Sequence, residues 1–257
     1  MKHAVLKLLV IGGVLFLFIG CDRVPPELLP GRWRATATLP GGELPFFIDV
    51  HPDSITPEVF LVNGEERVRV REVHLSRDSV ILKLPAFNTT LRARRSRPEV
   101  LEGELILVKR GGVRQVMPFQ ARHGVTHRFF AHAAPPAIEV TGRWEVTFVD
   151  DEGNATQAVG EFHQQHRRLR GTFMTPTGDY RFLEGEVTDS SLYLSCFDGG
   201  HAFLFRAKLD SQGQLRGDFW SGTAWHEKWT ARPNPEASLP DPYRLTYLKA
   251  GYDRFDF

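Results

Sequence analysis

Three polar side chains stand on strand faces that are otherwise apolar. In residues 201–209, Phe203, Phe205, Ala207 and Leu209 alternate onto one face, and His201 begins the same series. In 224–232, Trp225, Trp229 and Ala231 share a face with Glu227, and in 179–189 Phe182 shares one with Glu184. A charged group cannot sit unpaired in a dry interior, so these three either satisfy one another or line a wet pocket. Two readings therefore stand. One is a hydrogen-bonded structural cluster at the mouth of a β domain. The other is a small-ligand pocket built from Glu184, His201, Glu227, Trp225 and Trp229.

Other motifs carry less. His163 and His166 are three apart, which on a strand turns them to opposite faces, so no metal site is expected. Arg92, Arg94, Arg95 and Arg97 form a basic run that suits a solvated strand and hairpin. Cys196 shares a face with Leu192 and Leu194 and reads as an inert buried thiol. There is no Gly-x-Ser-x-Gly, His-Glu-x-x-His or phosphate-binding glycine loop, so no catalytic residue and no cofactor is assigned.

The elements that must position these residues are strands. After residue 30 the chain lacks helical periodicity and runs as alternating segments punctuated by Gly, Pro, Asn and Asp. It also repeats. Gly31-Arg32-Trp33 returns as Gly142-Arg143-Trp144, and Asn63-Gly64-Glu65 matches Thr177-Gly178-Asp179. Leu101 to Leu105 matches Leu215 to Phe219, and Phe119 to Arg122 matches Trp229 to Arg232. These matches keep their order and nearly constant offset, which marks an internal duplication.

Each copy holds eight strand-like runs. In the second they fall near 142–150, 155–165, 168–175, 179–189, 191–197, 201–209, 214–221 and 224–232. Short turns such as Asp198-Gly199-Gly200 suit consecutive hairpins, and eight meandering strands close naturally into a barrel without exposed edges. The expected fold is all-β: two tandem antiparallel up-and-down, lipocalin-like barrels, at 31–130 and 142–234, joined by a linker at 131–141. The repeat aligns Thr89 with His201, Met117 with Glu227 and Val70 with Glu184, so the second copy carries polar groups where the first carries smaller or apolar ones.

The first 20 residues read as an export signal. Lys2 and Lys7 precede an uncharged apolar run, Leu8 to Gly20, that is too short to span a bilayer comfortably. It ends in Phe18-Ile19-Gly20-Cys21, which resembles the bacterial lipobox. That resemblance implies a lipid on the Cys21 thiol, a tether at 21–30, and residence in the cell envelope on the inner or outer membrane, facing the periplasm or exterior. Removing Lys2 and Lys7 from the 32 Lys and Arg leaves 30 against 31 Asp and Glu, a formal charge of −1 that argues against nucleic acid as a partner. With Cys21 lipidated, Cys196 has no disulfide partner.

The second copy and the tail resemble a known family. Gly178 to Gly185, Phe197 to Phe205, Gly217 to Gly222, Trp225 to Ala231 and Leu239 to Tyr243 carry the likeness, with Thr246 to Lys249 and Gly251 to Phe257. Together they resemble the region before the catalytic domain in exported thioredoxin-like (TlpA-like, redoxin) lipoproteins. The resemblance implies that 235–257 is a connector toward a redoxin domain whose Cys-x-x-Cys would follow. Cys196 does not occupy such a position. The expectation is a non-catalytic accessory module in a thiol–disulfide context, partnered with the membrane and a thioredoxin-like domain or protein. A lipocalin-like small-ligand-binding lipoprotein is the alternative.

Overall fold

The computed structural model describes residues 28–52, 56–84, 88–180 and 182–240; the expected signal at 1–20, the expected lipidation site Cys21 and residues 241–257 of the tail lie outside them. The chain is all-β, with one 3-10 turn at Arg110–Gly112 as the only helical element among the described residues. The first unit runs β1 (Gly31–Leu39), β2 (Gly42–His51), β3 (Glu58–Asn63), β4 (Glu66–Arg69), β5 (Glu72–Leu75), β6 (Ser79–Leu84), β7 (Thr89–Arg97), β8 (Val100–Val108) and β9 (Arg114–His123). The second runs β10 (Gly142–Asp150), β11 (Ala155–Gln165), β12 (Arg168–Thr175), β13 (Gly178–Asp179), β14 (Leu183–Thr188), β15 (Ser191–Phe197), β16 (Ala202–Leu209), β17 (Leu215–Ser221) and β18 (Trp225–Pro233).

Every ladder between named strands is antiparallel, and the last strand of each unit returns to its first: β9 pairs β1, and β18 pairs β10. The second unit closes completely, because β12 pairs β11 on one side and β14 on the other. The first stays open at one seam. β4 pairs only β3 and β5 pairs only β6, so Val70 and Arg71 carry the chain across the gap without a ladder. Counting β4 with β5 and β13 with β14, both units are the same eight-strand meander.

The repeated residues do the same work twice. Gly31 and Gly142 open their units at φ of 109° and 123°, where a Cβ is strained. The tryptophans two residues on each donate an indole N–H to the carbonyl four residues back, Trp33 to Leu29 and Trp144 to Val140, both at 2.9 Å. Gly103 lies opposite Ala93 and Gly217 opposite Ala207; at either glycine a Cβ would strike the facing strand's carbonyl, of Arg92 or Arg206.

Each unit has its own apolar core. The second is packed with aromatic rings: Phe205 stacks on Phe219 at 4.3 Å and on Phe173 at 4.8 Å, and Phe148 and Trp229 complete the cluster. The first core is not self-contained. Phe197, Ala202 and Leu204, from the outer face of β15 and β16, are fully buried in the cluster of Phe46, Leu61 and Leu82. The first unit's β1–β2 hairpin also rests on the second barrel, with Gly41 against the Trp220 ring and Gly42 against Arg206. The two barrels are thus packed wall to wall, and the linker docks on the second through backbone bonds between Pro135, Ala137 and Asp189.

Candidate functional site

Two places gather polar groups: the mouth of the second barrel and the junction between the barrels. At the mouth, Glu227 turns inward on β18 beside Trp229 and is buried. It faces Phe219 across the ladder, as Met117 faces Leu105 in the first unit, so the repeat alignment holds at this position. Burial pushes the Glu227 carboxyl above the usual carboxylate range; a hydrogen bond from Trp225 opposes this, and the negative Asp150 on the neighbouring strand adds to it. Tyr180 caps the aromatic core close by, and burial with the Glu227 charge pushes its phenol up to about 12. Trp225 stands half exposed on the rim.

His201 sits just before β16, also on the rim. Its ring stacks on Phe203 at 5.0 Å and its Nδ1 lies 2.9 Å from Asp198 Oδ2. Asp198 also accepts the backbone N–H groups of Gly200 and His201 at 2.8 and 2.7 Å. Burial alone would raise the Asp198 carboxyl, yet these hydrogen bonds and the imidazole hold it below its ordinary value. His201 is therefore tied into its own turn.

Glu184 does not join them, which corrects the inward placement read from strand alternation. Phe182 has a φ of +58°, a left-handed conformation that separates β13 from β14 and inverts the side-chain parity. On β14 it is Leu183, Gly185 and Val187 that face the barrel interior, and Glu184 and Glu186 face out toward the first unit. The ladders place Gly185 opposite Leu194 and Val73 opposite Leu82, so Glu184 corresponds to Glu72, not to Val70.

At the junction Glu184 meets a residue that strand reading passed over. Arg128 follows the last strand of the first unit, in His127-Arg128-Phe129-Phe130, and its side chain is only 4% exposed. Each of its three nitrogens donates. Nε donates to Ser195 Oγ at 3.1 Å and Nη1 to Glu184 Oε2 at 3.3 Å; Nη2 reaches Ser195 O at 3.0 Å and Asn63 Oδ1 at 3.4 Å. Glu184 also accepts the Gly64 N–H at 3.0 Å and Arg168 Nε at 2.8 Å. Burial acts to raise the Glu184 carboxyl, but Arg128 and Arg168 outweigh it and the net shift is downward. Glu186 repeats the pattern, taking the Phe129 N–H at 3.0 Å and Arg167 Nη2 at 2.6 Å. The sequence signal for this junction was a lone arginine directly before two phenylalanines in a segment without strand alternation.

Beside this network lies a cleft of about 510 Å³, walled by Phe47, Val62 and Phe130 and by Arg32, Arg167 and Arg168. Cys196, one strand position from Ser195, is buried, and burial drives its thiol well above the ordinary range. Such a thiol stays protonated and is a poor nucleophile. Among the described residues no group of three or more His, Cys, Asp or Glu is arranged to hold a metal ion.

No protein-family model matches the chain, and no curated protein matches it. Among solved structures, one that matches is a protein of unknown function from the DUF3598 family of Nostoc punctiforme. It is 11% identical over 79% of this chain and 94% of that one, at a TM-score of 0.28. A likeness at that level carries no functional argument.

Proposed function

We propose that this chain is a membrane-tethered, non-catalytic accessory module of the bacterial cell envelope, working beside thiol–disulfide chemistry carried by a thioredoxin-like domain or protein. The observation that supports it best is the junction itself. Arg128, Asn63, Glu184 and Ser195 fix two barrels into one body, which suits a spacer or presentation platform. The protonated, buried Cys196 fits the same reading, since it offers no thiolate to a disulfide. In this reading the lipid sits on Cys21.

Two measurements test it. Metabolic labelling with radioactive palmitate should mark the wild type and leave Cys21→Ala unlabelled. In an insulin-reduction assay the chain alone should show no turnover above the thiol background. Unlabelled wild type removes the tether, and sustained reductase turnover removes the non-catalytic role.

A second reading, capture of a small ligand in the second barrel, is supported by one observation: Glu227 is a buried carboxylate at the barrel mouth without a cationic partner within hydrogen-bonding distance among the described residues. Its weakness is the aromatic filling of that barrel. Replacing His201 and Glu227 with Thr and Met, the first-unit residues, should abolish any ligand-induced thermal shift; a shift that survives places the ligand elsewhere.

A further inference from the structure

We infer that the cleft between the barrels is a binding site for a small organic oxyanion, a carboxylate or phosphonate, with an apolar or aromatic flank. The inference goes beyond the module reading and does not depend on the tether. Four guanidinium groups reach the cleft, those of Arg32, Arg128, Arg167 and Arg168. Arg128 is spent on Glu184, Ser195 and Asn63. Arg32 and Arg168 are each pinned on one side by a single carboxylate and open on the other.

Arg32 gives Nε and Nη2 to Asp49 at 2.8 and 2.9 Å and remains 46% exposed. Arg168 gives Nε and Nη2 to one oxygen of Glu184 and remains 51% exposed. In both, Nη1 makes no hydrogen bond to a described residue. Arg167 gives Nη2 to Glu186 and to the Phe130 carbonyl, and its Nε is buried, so it contributes charge and not a free donor. These forks are held in place before any ligand arrives, so little side-chain entropy is lost on binding.

Charge selects the ligand class. The lining sets Arg32, Arg128, Arg167 and Arg168 against Glu184 and Glu186, and Asp49 behind Arg32 is shared with Arg67, a surplus of two positive charges over the group. An anionic headgroup, carboxylate or phosphonate, matches that surplus, and a neutral isostere does not. His127, also in the lining, is held below its ordinary pKa by burial and then by Arg34, so it is neutral at pH 7 and adds no charge. The apolar walls supply the rest. Phe47 lies under the Arg32 guanidinium at 4.9 Å and is buried with Val62 at the floor of the cleft, and the half-buried Phe130 is the apolar group left for a ring or short alkyl group to touch.

The test is calorimetric titration of the full chain in lipid nanodiscs with benzoate, its neutral isostere benzamide, and phenylphosphonate. Benzoate should bind saturably at one site, and benzamide should not. Arg32→Gln and Arg168→Gln should each weaken benzoate about tenfold, the worth of one charge-assisted hydrogen bond. Glu227→Met, at the far mouth, should leave it unchanged. Near-ultraviolet circular dichroism confirms that each variant is folded; Arg32→Gln keeps Arg67 on Asp49 and so retains the local pairing. No saturable binding of either benzoate or phenylphosphonate, or wild-type affinity in both arginine variants, would overturn the assignment, and the tighter of the two anions identifies the headgroup. Loss of benzoate binding in Glu227→Met would move the ligand to the barrel interior.

Discussion

The side-chain amide of Asn63 pairs with the backbone of Phe197 in both directions: Nδ2 donates to the Phe197 carbonyl at 2.7 Å, and the Phe197 N–H donates to Oδ1 at 3.1 Å. A side chain of the first unit thus does for the last residue of β15 what a neighbouring strand would do. Asn63 is fully buried, so its loss leaves two backbone groups without partners. Asn63→Leu should cost about 2 kcal/mol, seen as a lower urea midpoint with an unchanged slope. A midpoint equal to the wild type would mean that the pairing contributes nothing.

Arg128 is the second test of the junction. Arg168 stays on Glu184 when Arg128 is removed, so the loss is that of the buried Asn63 and Ser195 acceptors left without their donor, about 1–3 kcal/mol. Arg128→Met should therefore destabilise more than Arg34→Met, whose side chain donates to the Arg128 carbonyl and to the exposed Glu43. Differential scanning calorimetry of the two variants measures the contrast, and equal losses would refute it.

Acid should act through the same pair. The Glu184 carboxyl is held below its unfolded value, so the folded state binds its proton less readily than the unfolded one. Its contribution is complete above the unfolded glutamate value of about 4.3 and is lost as pH falls through the lower folded value. Asp49, lowered by Arg32 and Arg67 against the opposing effect of burial, has the same sign. Equilibrium unfolding at pH 7, 5 and 3 should show stability falling mainly below pH about 4, and Glu184→Gln should flatten that fall.

Glu227 has the opposite sign. Its folded pKa is raised, so its stabilising contribution belongs to the protonated form, present at low pH and lost as pH rises through the raised value. At pH 7 Glu227→Met should stabilise by about 1 kcal/mol, because it removes a buried charge from an apolar site. A lower melting temperature for this variant at pH 7 would show that the carboxylate is satisfied by something inside the barrel.

Cys196 should be silent toward thiol reagents. With its thiol buried and protonated, Ellman's reagent should titrate it only in denaturant. Rapid labelling of the native protein would mean that β15 opens on the labelling timescale.

The strands and the duplication could be read from alternation and turn residues because each depends on neighbours within a few positions. Interior parity was also legible where a strand runs unbroken: Phe203 and Phe205 on β16 and Trp229 on β18 face inward as the pattern required. It failed at Glu184 because one residue, Phe182, takes a left-handed conformation that no alternation reveals. The junction was hidden for a different reason. Ala202 to Phe205 is a continuous apolar run, the mark of a strand buried on both faces, and parity assigns only one of them. What covers the second face is set by residues more than 100 positions away, such as Asn63 and Pro45.

The shared core also sets an order in time. Residues 28–123 precede Phe197, Ala202 and Leu204 in the chain, so they emerge in synthesis before the residues that complete their packing. The second barrel, whose ring closes on itself, can reach its final form from its own residues alone. In a chain made from its N-terminus, the half that emerges first is therefore the half that finishes last, and the later copy is the template on which the earlier one sets.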